Sequence, residues 1–160
     1  RFFTLMKITI VAVGLRQPSW ADSAVSDYLG RFPKDWSVTV KAVKPEQRAG
    51  QSTANIMRIE AERIRAAIPH NSLIIAMDER GKDLNTMDFA KKIQTWRNTG
   101  ESLCFLIGGA DGLDPELKAQ AQMLLRLSSM TLPHAMARVL LAEQIYRAFS
   151  ILTNHPYHRA

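Results

Sequence analysis

Three groupings of side chains in this sequence have types and spacings that could do chemistry. The first is Gly108-Gly109-x-x-Gly112, with Asp114-Pro115-Glu116 just beyond it. Glycines after an apolar run let a ligand approach the backbone, and a helix starting next to them offers free N–H groups. The pattern is neither G-x-G-x-x-G nor a P-loop, because no Lys-Ser/Thr follows. Asp111 would repel a phosphate, so the stretch is either a plain tight turn or a seat for an uncharged or cationic ligand. The second grouping is Thr131-Leu132-Pro133-His134 with Arg138 four residues on. On a helix, His134 and Arg138 share a face with Leu141, Ala142, Ile145 and Phe149, while Glu143 and Arg147 fall on the far side. A permanent cation on an apolar face requires a partner. Arg138 could find an acidic residue, a carbonyl end, a second subunit, or the phosphate or carboxylate of a ligand. His134 at the helix start is expected to be neutral, since the helix dipole disfavours a cation there. The third grouping is the tail, with His155, Tyr157, His158 and Arg159 crowded together. Pro156 breaks the helical geometry that His-x-x-His would need for a metal, and no Cys or carboxylate cluster joins it, so no metal is expected. The tail either frays or uses its aromatic, imidazole and guanidinium groups to stack on bases and grip phosphate.

What is missing narrows the chemistry. There is no G-x-S-x-G, no Cys-His signature and no obvious glycosidase carboxylate pair. Cys104 lies inside an apolar run and is expected to be buried and inert. A protein nucleophile is therefore disfavoured, and a reactive cofactor is the better expectation for an enzyme.

Apolar runs alternating with helical patterns must position these groups. Residues 8–13 read as a buried strand ending at Gly14 rather than as a signal peptide. Ser19 starts a helix, with Asp22 three residues on as a variant capping box and Val25, Tyr28, Leu29 and Phe32 as its apolar face. Strand 38–43, a polar loop over 44–52 and a helix over 53–67 follow, the helix carrying a Glu62–Arg65 pair. Strand 73–77 leads into a loop over 78–82. Thr86 is expected to cap the next helix, and Gly100 to stop it. Strand 103–107 exits through the glycines. Asp114 and Pro115 open a short helix, 125–129 reads as a fifth strand, and Pro133 opens a last helix to about Leu152. Strands alternating with helices predict an α/β fold with a mostly parallel sheet flanked by helices, in one domain over 6–160. Residues 1–5, ahead of Met6, read as an upstream extension. Ligands of such sheets lie beyond the carboxyl ends of strands, which places Gly14, Met77, residues 78–82 and Gly108 on the candidate rim.

Composition sets the outer limits. The chain has 160 residues, 46% hydrophobic and 22% charged, which is ordinary globular composition. No apolar run approaches the ~20 residues of a membrane-spanning helix. One cysteine cannot form an internal disulfide, so the cytoplasm is the expected compartment. Lys plus Arg is 21 against 15 Asp plus Glu, a net charge of +6. A small basic domain is drawn to polyanions, nucleic acid foremost.

Taken in order, the motifs resemble a known family. They are Met6-Lys7-Ile8 with Ala12-Val13-Gly14, then Met77-Asp78-x-x-Gly81-Lys82 and Leu106-Ile107-Gly108-Gly109-x-x-Gly112-Leu113. Leu127-Ser128-x-x-Thr131-Leu132-Pro133-His134 follows, then Arg138-Val139-Leu140, Glu143-Gln144-x-Tyr146-Arg147-Ala148, and Asn154-His155-Pro156-Tyr157-His158. From Met6 onward the chain resembles the small bacterial SPOUT-class RNA methyltransferases, and within them the RlmH family, which methylates N3 of a pseudouridine in 23S ribosomal RNA. The resemblance implies a carboxyl-terminal trefoil knot, a rare exception to unknotted topology. It implies S-adenosyl-L-methionine as cofactor, held by Met77, Gly108, Leu127, Ser128, Ser129, Met130, Thr131 and Leu132. Met77 stands where the family pattern leads one to expect Leu. The resemblance also implies a homodimer in which one tail reaches the other subunit's cofactor. Its substrate would be large-subunit ribosomal RNA, within an assembled ribosome. His134, Arg138, Tyr157 and His158 are the candidate catalytic residues, with the base unassigned. Arg138, His155, Tyr157, His158 and Arg159 are the candidate RNA-binding residues. A related enzyme acting on another RNA such as tRNA, or a non-catalytic RNA-binding module, are the alternatives.

Overall fold

The computed structural model describes residues 5–159, so residues 1–4 of the expected upstream extension lie outside it. Unbroken Val/Ile/Leu runs make strands that are buried on both faces, the mark of parallel sheets. β1 (Met6–Val13) is such a run, buried throughout except at Lys7. β2 (Trp36–Val43) pairs in parallel on one side of it, from Met6 opposite Trp36 to Val13 opposite Val43. β4 (Ser102–Ile107) pairs in parallel on the other side, with Ile10 opposite Phe105. β3 (Ser72–Asp83) flanks β4, and β5 (Met123–Arg126) flanks β3, both in parallel. The order is β2-β1-β4-β3-β5. The chain leaves β1 toward β2 but leaves β4 toward β5. Connections departing in opposite directions open a crevice at the carboxyl ends of the strands.

Among the described residues five helices cover the sheet: α1 (Ser19–Leu29), α2 (Thr53–Ala67), α3 (Thr86–Asn98), α4 (Pro115–Ala119) and α5 (His134–Leu152). Successive strand residues point to opposite faces, so β1 feeds two cores. Ile8, Ile10 and Ala12 pack with Phe89 and Ile93 of α3 and with Leu141, Ile145 and Phe149 of α5. Val11 and Val13 pack with Ala61 and Ile64 of α2 and Leu117 of α4.

Element ends depart from the expected ones where single hydrogen bonds decide them. α1 begins at Ser19, but no capping box forms. Pro18 holds the cap position, its carbonyl accepts from the Ala21 and Asp22 N–H groups, and no side chain caps the helix. The cap of α3 is Asn85, whose side chain accepts from Asp88 N–H at 2.9 Å. The Thr86 hydroxyl instead donates to Gln144 on α5 at 2.8 Å. Glu62 pairs with Arg58, while Arg65 reaches Gln120. Residues 78–82 are not a loop: β3 continues to Asp83 after a register shift against β5 between Met77 and Lys82. A Cβ on Gly81 would lie 2.6 Å from the Leu125 nitrogen, so only glycine lets β3 pass that close to β5. β5 ends at Arg126 rather than Ser129, which leaves the stretch after it outside every helix and strand.

Candidate functional site

A cleft of about 590 Å³ lies at the carboxyl ends of the strands. Its walls are the end of β3 with Met77 and Asp78, the β4 exit from Ile107 to Gly112, the stretch after β5, and His134 and Ala137 in the first turn of α5. Of the expected cofactor residues, Met77, Gly108, Leu127, Ser128, Met130, Thr131 and Leu132 line it; Ser129 does not. His134 also lines it, whereas Arg138, Tyr157 and His158 do not. Asp78, Glu79 and Arg80, which the strand-end rule placed on the rim, line it too; Lys118, Arg126 and Ala137 are lining residues that the sequence did not point to. Lys118 and Ala137 depend on helix packing and carry no local signal.

Two walls present backbone rather than side chains. At the β4 exit, Gly112 N–H donates to Gly109 O at 3.0 Å, which folds the chain tightly back. A Cβ on Gly108 would lie 2.6 Å from the Gly112 carbonyl carbon, so the turn closes only around glycine. From Ser128 to Leu132 the backbone makes one hydrogen bond among the described residues, Met130 N–H to Ser128 Oγ at 2.9 Å. The other N–H and C=O groups there are free to meet a ligand.

The charges on the walls are largely paired. Lys118 lies 3.6 Å from Asp78, and Arg126 lies 3.1 Å from Asp83. The expectation that Asp111 offers a free negative charge is corrected. Arg48 grips both its carboxylate oxygens at 2.7 and 3.0 Å and holds the carboxyl below its ordinary range.

Arg138 finds its partner at a carbonyl end. Only 4% exposed, it donates through Nη2 to Gly14 O at 3.1 Å and to Val13 O at 3.3 Å. Burial pushes its pKa down, and its Nε is buried without a partner. His134 Nε2 lies 2.9 Å from Val13 O. A carbonyl only accepts, so Nε2 carries the proton and Nδ1 keeps its lone pair. The His134 pKa is lowered, as the neutral form requires, but the main cause is burial rather than the helix dipole. The Val13 hydrogen bond opposes the shift, and Arg138 adds to it.

The tail is docked, not frayed. Tyr157 O–H donates to Glu143 at 2.7 Å and lies 3.1 Å from the Tyr28 hydroxyl. The Arg147 guanidinium sits 4.7 Å from the centre of the Tyr157 ring, pairs with Glu143 at 2.7 Å and donates to His158 Nδ1 at 3.1 Å. Burial, with the Tyr28 and Glu143 contacts, pushes the Tyr157 pKa up. His155 N–H donates to Ser150 O at 2.8 Å. The far face of α5 thus holds the tail, while its first turn meets the cleft.

A family model described as "Predicted SPOUT methyltransferase" matches residues 6–158. The chain belongs to the SPOUT methyltransferase family. It is 54% identical to the ribosomal RNA large subunit methyltransferase H of Paraburkholderia phymatum, over 96% of this chain and 99% of that one. It is 52% identical to the protein of that name from Burkholderia thailandensis, over 97% and 100%. Among solved structures, a probable methyltransferase from Bordetella pertussis shares the fold with a TM-score of 0.58 at 12% identity, over 91% of this chain and 95% of that one. A putative methylase family protein from Neisseria gonorrhoeae does so at 0.52 and 12%, over 97% of each.

The cleft fits the cofactor of a SPOUT methyltransferase. An adenine is read by backbone donors and acceptors, which Ser128 to Leu132 leave free, and the glycine turn leaves room for close approach. The enzyme's methyl donor is S-adenosyl-L-methionine. Among the described residues no helix is long and apolar enough to cross a membrane, and no cluster of His, Cys, Asp and Glu could hold a metal.

Proposed function

We propose that this SPOUT enzyme methylates N3 of a pseudouridine in large-subunit ribosomal RNA. The observation that carries the reading is identity above half over nearly the full length of curated relatives named ribosomal RNA large subunit methyltransferase H, together with a backbone-walled cleft on the same chain. When bound, the cofactor supplies an electrophilic methyl group on a sulfonium. The residues that would hold it are Met77, Gly108, Leu127, Ser128, Met130, Thr131 and Leu132, largely through backbone groups.

The protein's own work is positioning and proton handling. Pseudouridine N3 carries a proton that must leave before N3 can attack a methyl carbon. Of the candidate bases, His134 is the one at the cleft with a free lone pair: its Nε2–H is committed to Val13 O, which leaves Nδ1 to accept a proton. Tyr157 and His158 are occupied by Glu143, Tyr28 and Arg147 within the same chain. Arg138 holds the end of β1 and the orientation of His134 through their shared acceptor, Val13 O. The surplus of basic charge, with His155 and Arg159 exposed on the tail, supplies attraction for RNA phosphates.

The test is transfer of a labelled methyl group from S-adenosyl-L-methionine to whole ribosomes, isolated large subunits and bulk tRNA from cells lacking this gene. Label on large-subunit RNA that disappears when the pseudouridine is absent is the expected result. Label on tRNA alone would move the substrate and overturn the reading.

A further inference from the structure

The polar loop over 44–52 reaches across to the glycine turn from outside the cleft, and nothing in the function above uses it. It is held firmly. Glu46 N–H donates to Glu60 Oε2 at 2.9 Å, Arg63 donates to Glu46 Oε1 at 2.8 Å and to Lys44 O at 3.0 Å, and Gln51 donates to Glu46 Oε2 at 2.7 Å. Glu60, 5% exposed, backs directly onto the turn, since a Cβ on Gly109 would meet its Oε1 at 2.8 Å. From this loop Arg48 extends a side chain that is 58% exposed to grip Asp111, whose side chain is 13% exposed and lines the cleft. Its two terminal nitrogens each donate to one carboxylate oxygen, Nη1 to Oδ2 at 2.7 Å and Nη2 to Oδ1 at 3.0 Å, the fork geometry that neutralises a carboxylate most completely.

We infer that Arg48 sets the charge preference of the cofactor cleft by masking Asp111, so that the cleft does not favour the cationic methyl donor over its neutral product. The inference rests on the cofactor reading above. Methyl transfer leaves the C–S electron pair on sulfur, so the occupant goes from a sulfonium to a neutral thioether, one positive charge fewer. A bare carboxylate on the wall attracts the first and not the second. That attraction fades as the positive charge disperses on the way to the transition state, so it would stabilise the ground state and slow transfer. Pairing Asp111 with Arg48 keeps the polar wall and removes its net charge. Arg48 touches no occupant itself; it acts through Asp111.

The experiment measures, by titration calorimetry, the Kd of S-adenosylmethionine and of S-adenosylhomocysteine for the wild-type protein, R48Q, R48K, D111N and R48Q/D111N. The ratio of product Kd to donor Kd is the readout, because a loss of wall structure weakens both ligands alike. In R48Q the ratio rises about fivefold, the size expected for one partly screened charge. In D111N it falls, since Arg48 is left as an unpaired cation. R48K and the double variant return close to wild type. Raising the salt concentration shrinks both excursions. Equal weakening of both ligands in R48Q and D111N, or an unchanged ratio in both, overturns the inference. A wild-type protein that binds neither ligand removes the cofactor reading and the inference with it, an outcome distinct from those two.

Discussion

His134 is neutral because it is buried, and this has a consequence for stability. Its pKa lies below the ordinary 6.5 in the folded chain. Below about pH 6.5 the unfolded chain therefore takes up a proton that the folded chain refuses, and stability falls with pH until the folded imidazole also titrates. Above pH 6.5 neither state is protonated and the contribution vanishes. H134Q keeps an N–H for Val13 O but cannot titrate. Between pH 7.5 and 5.5 the wild-type melting temperature is expected to drop further than that of H134Q; parallel curves would show that the neutral ring contributes nothing. Cys104 gives a simpler test at the same scale. Burial raises its thiol to about 12, and it is fully enclosed among Val11, Ala76 and Leu106. Thiolate is the reactive form, so a chromogenic disulfide reagent at pH 8 should label it only as fast as the chain unfolds. Rapid labelling of the native protein would contradict that burial.

Among the elements, the two backbone walls of the cleft are the sensitive parts. In G108A the new Cβ meets only backbone, with Gly112 C at 2.6 Å, Gly112 O at 2.8 Å and Leu113 N at 2.8 Å. No side chain can swing aside, so the turn itself must open, at a stability cost of about 1–3 kcal/mol. Cofactor affinity should fall more than tenfold, measured by calorimetry beside a thermal melt. An unchanged Kd would show that the turn is not a wall of the binding site. The same elements show what a sequence can and cannot carry. β1 and β4 were legible because a strand buried on both faces is written as an unbroken apolar run. The residues that the family's motifs marked for the cofactor are brought together by the fold, seven of the eight lining one cleft. The polar half of β3 was not, because Asp78-Glu79-Arg80-Gly81-Lys82 has loop composition and becomes strand only by pairing with β5 across the register shift. The cap of α3 was misplaced by one residue because Asn85 and Thr86 are both good cap formers, and Thr86 is drawn away by Gln144, 58 residues later. The charge state of Asp111 was illegible for the same reason: its partner lies 63 residues earlier, in a loop with no periodicity.

At the scale of the whole molecule, the cleft and the tail are in different places. His134 lines the cleft, while Arg147, which anchors Tyr157 and His158, is 13 residues further along α5, about 20 Å at 1.5 Å per residue. The tail groups that suit RNA therefore do not meet their own chain's cofactor wall in this arrangement. If the tail acts on the nucleotide at the cleft while docked as it is here, a second copy must bring it there, which is the homodimer that the family resemblance implies. Two defective chains should then repair each other. A chain truncated after Asn154 keeps an intact cleft but has no tail; G108A keeps the tail but has a damaged cleft. Mixed after reversible dissociation, the two should recover up to about a quarter of wild-type methyl transfer, since half the dimers are mixed and each mixed dimer has one complete site. At a cofactor concentration well below the Kd of G108A each variant alone should stay nearly inactive, and size-exclusion chromatography with light scattering should show that both still dimerise. A mixture no more active than its parts, with mixed dimers demonstrably present, would mean that cleft and tail must belong to one chain. The tail would then have to leave Glu143 and Tyr28 to reach its own cleft, and Y157F, which cannot make the 2.7 Å bond to Glu143, should then speed transfer rather than leave it unchanged.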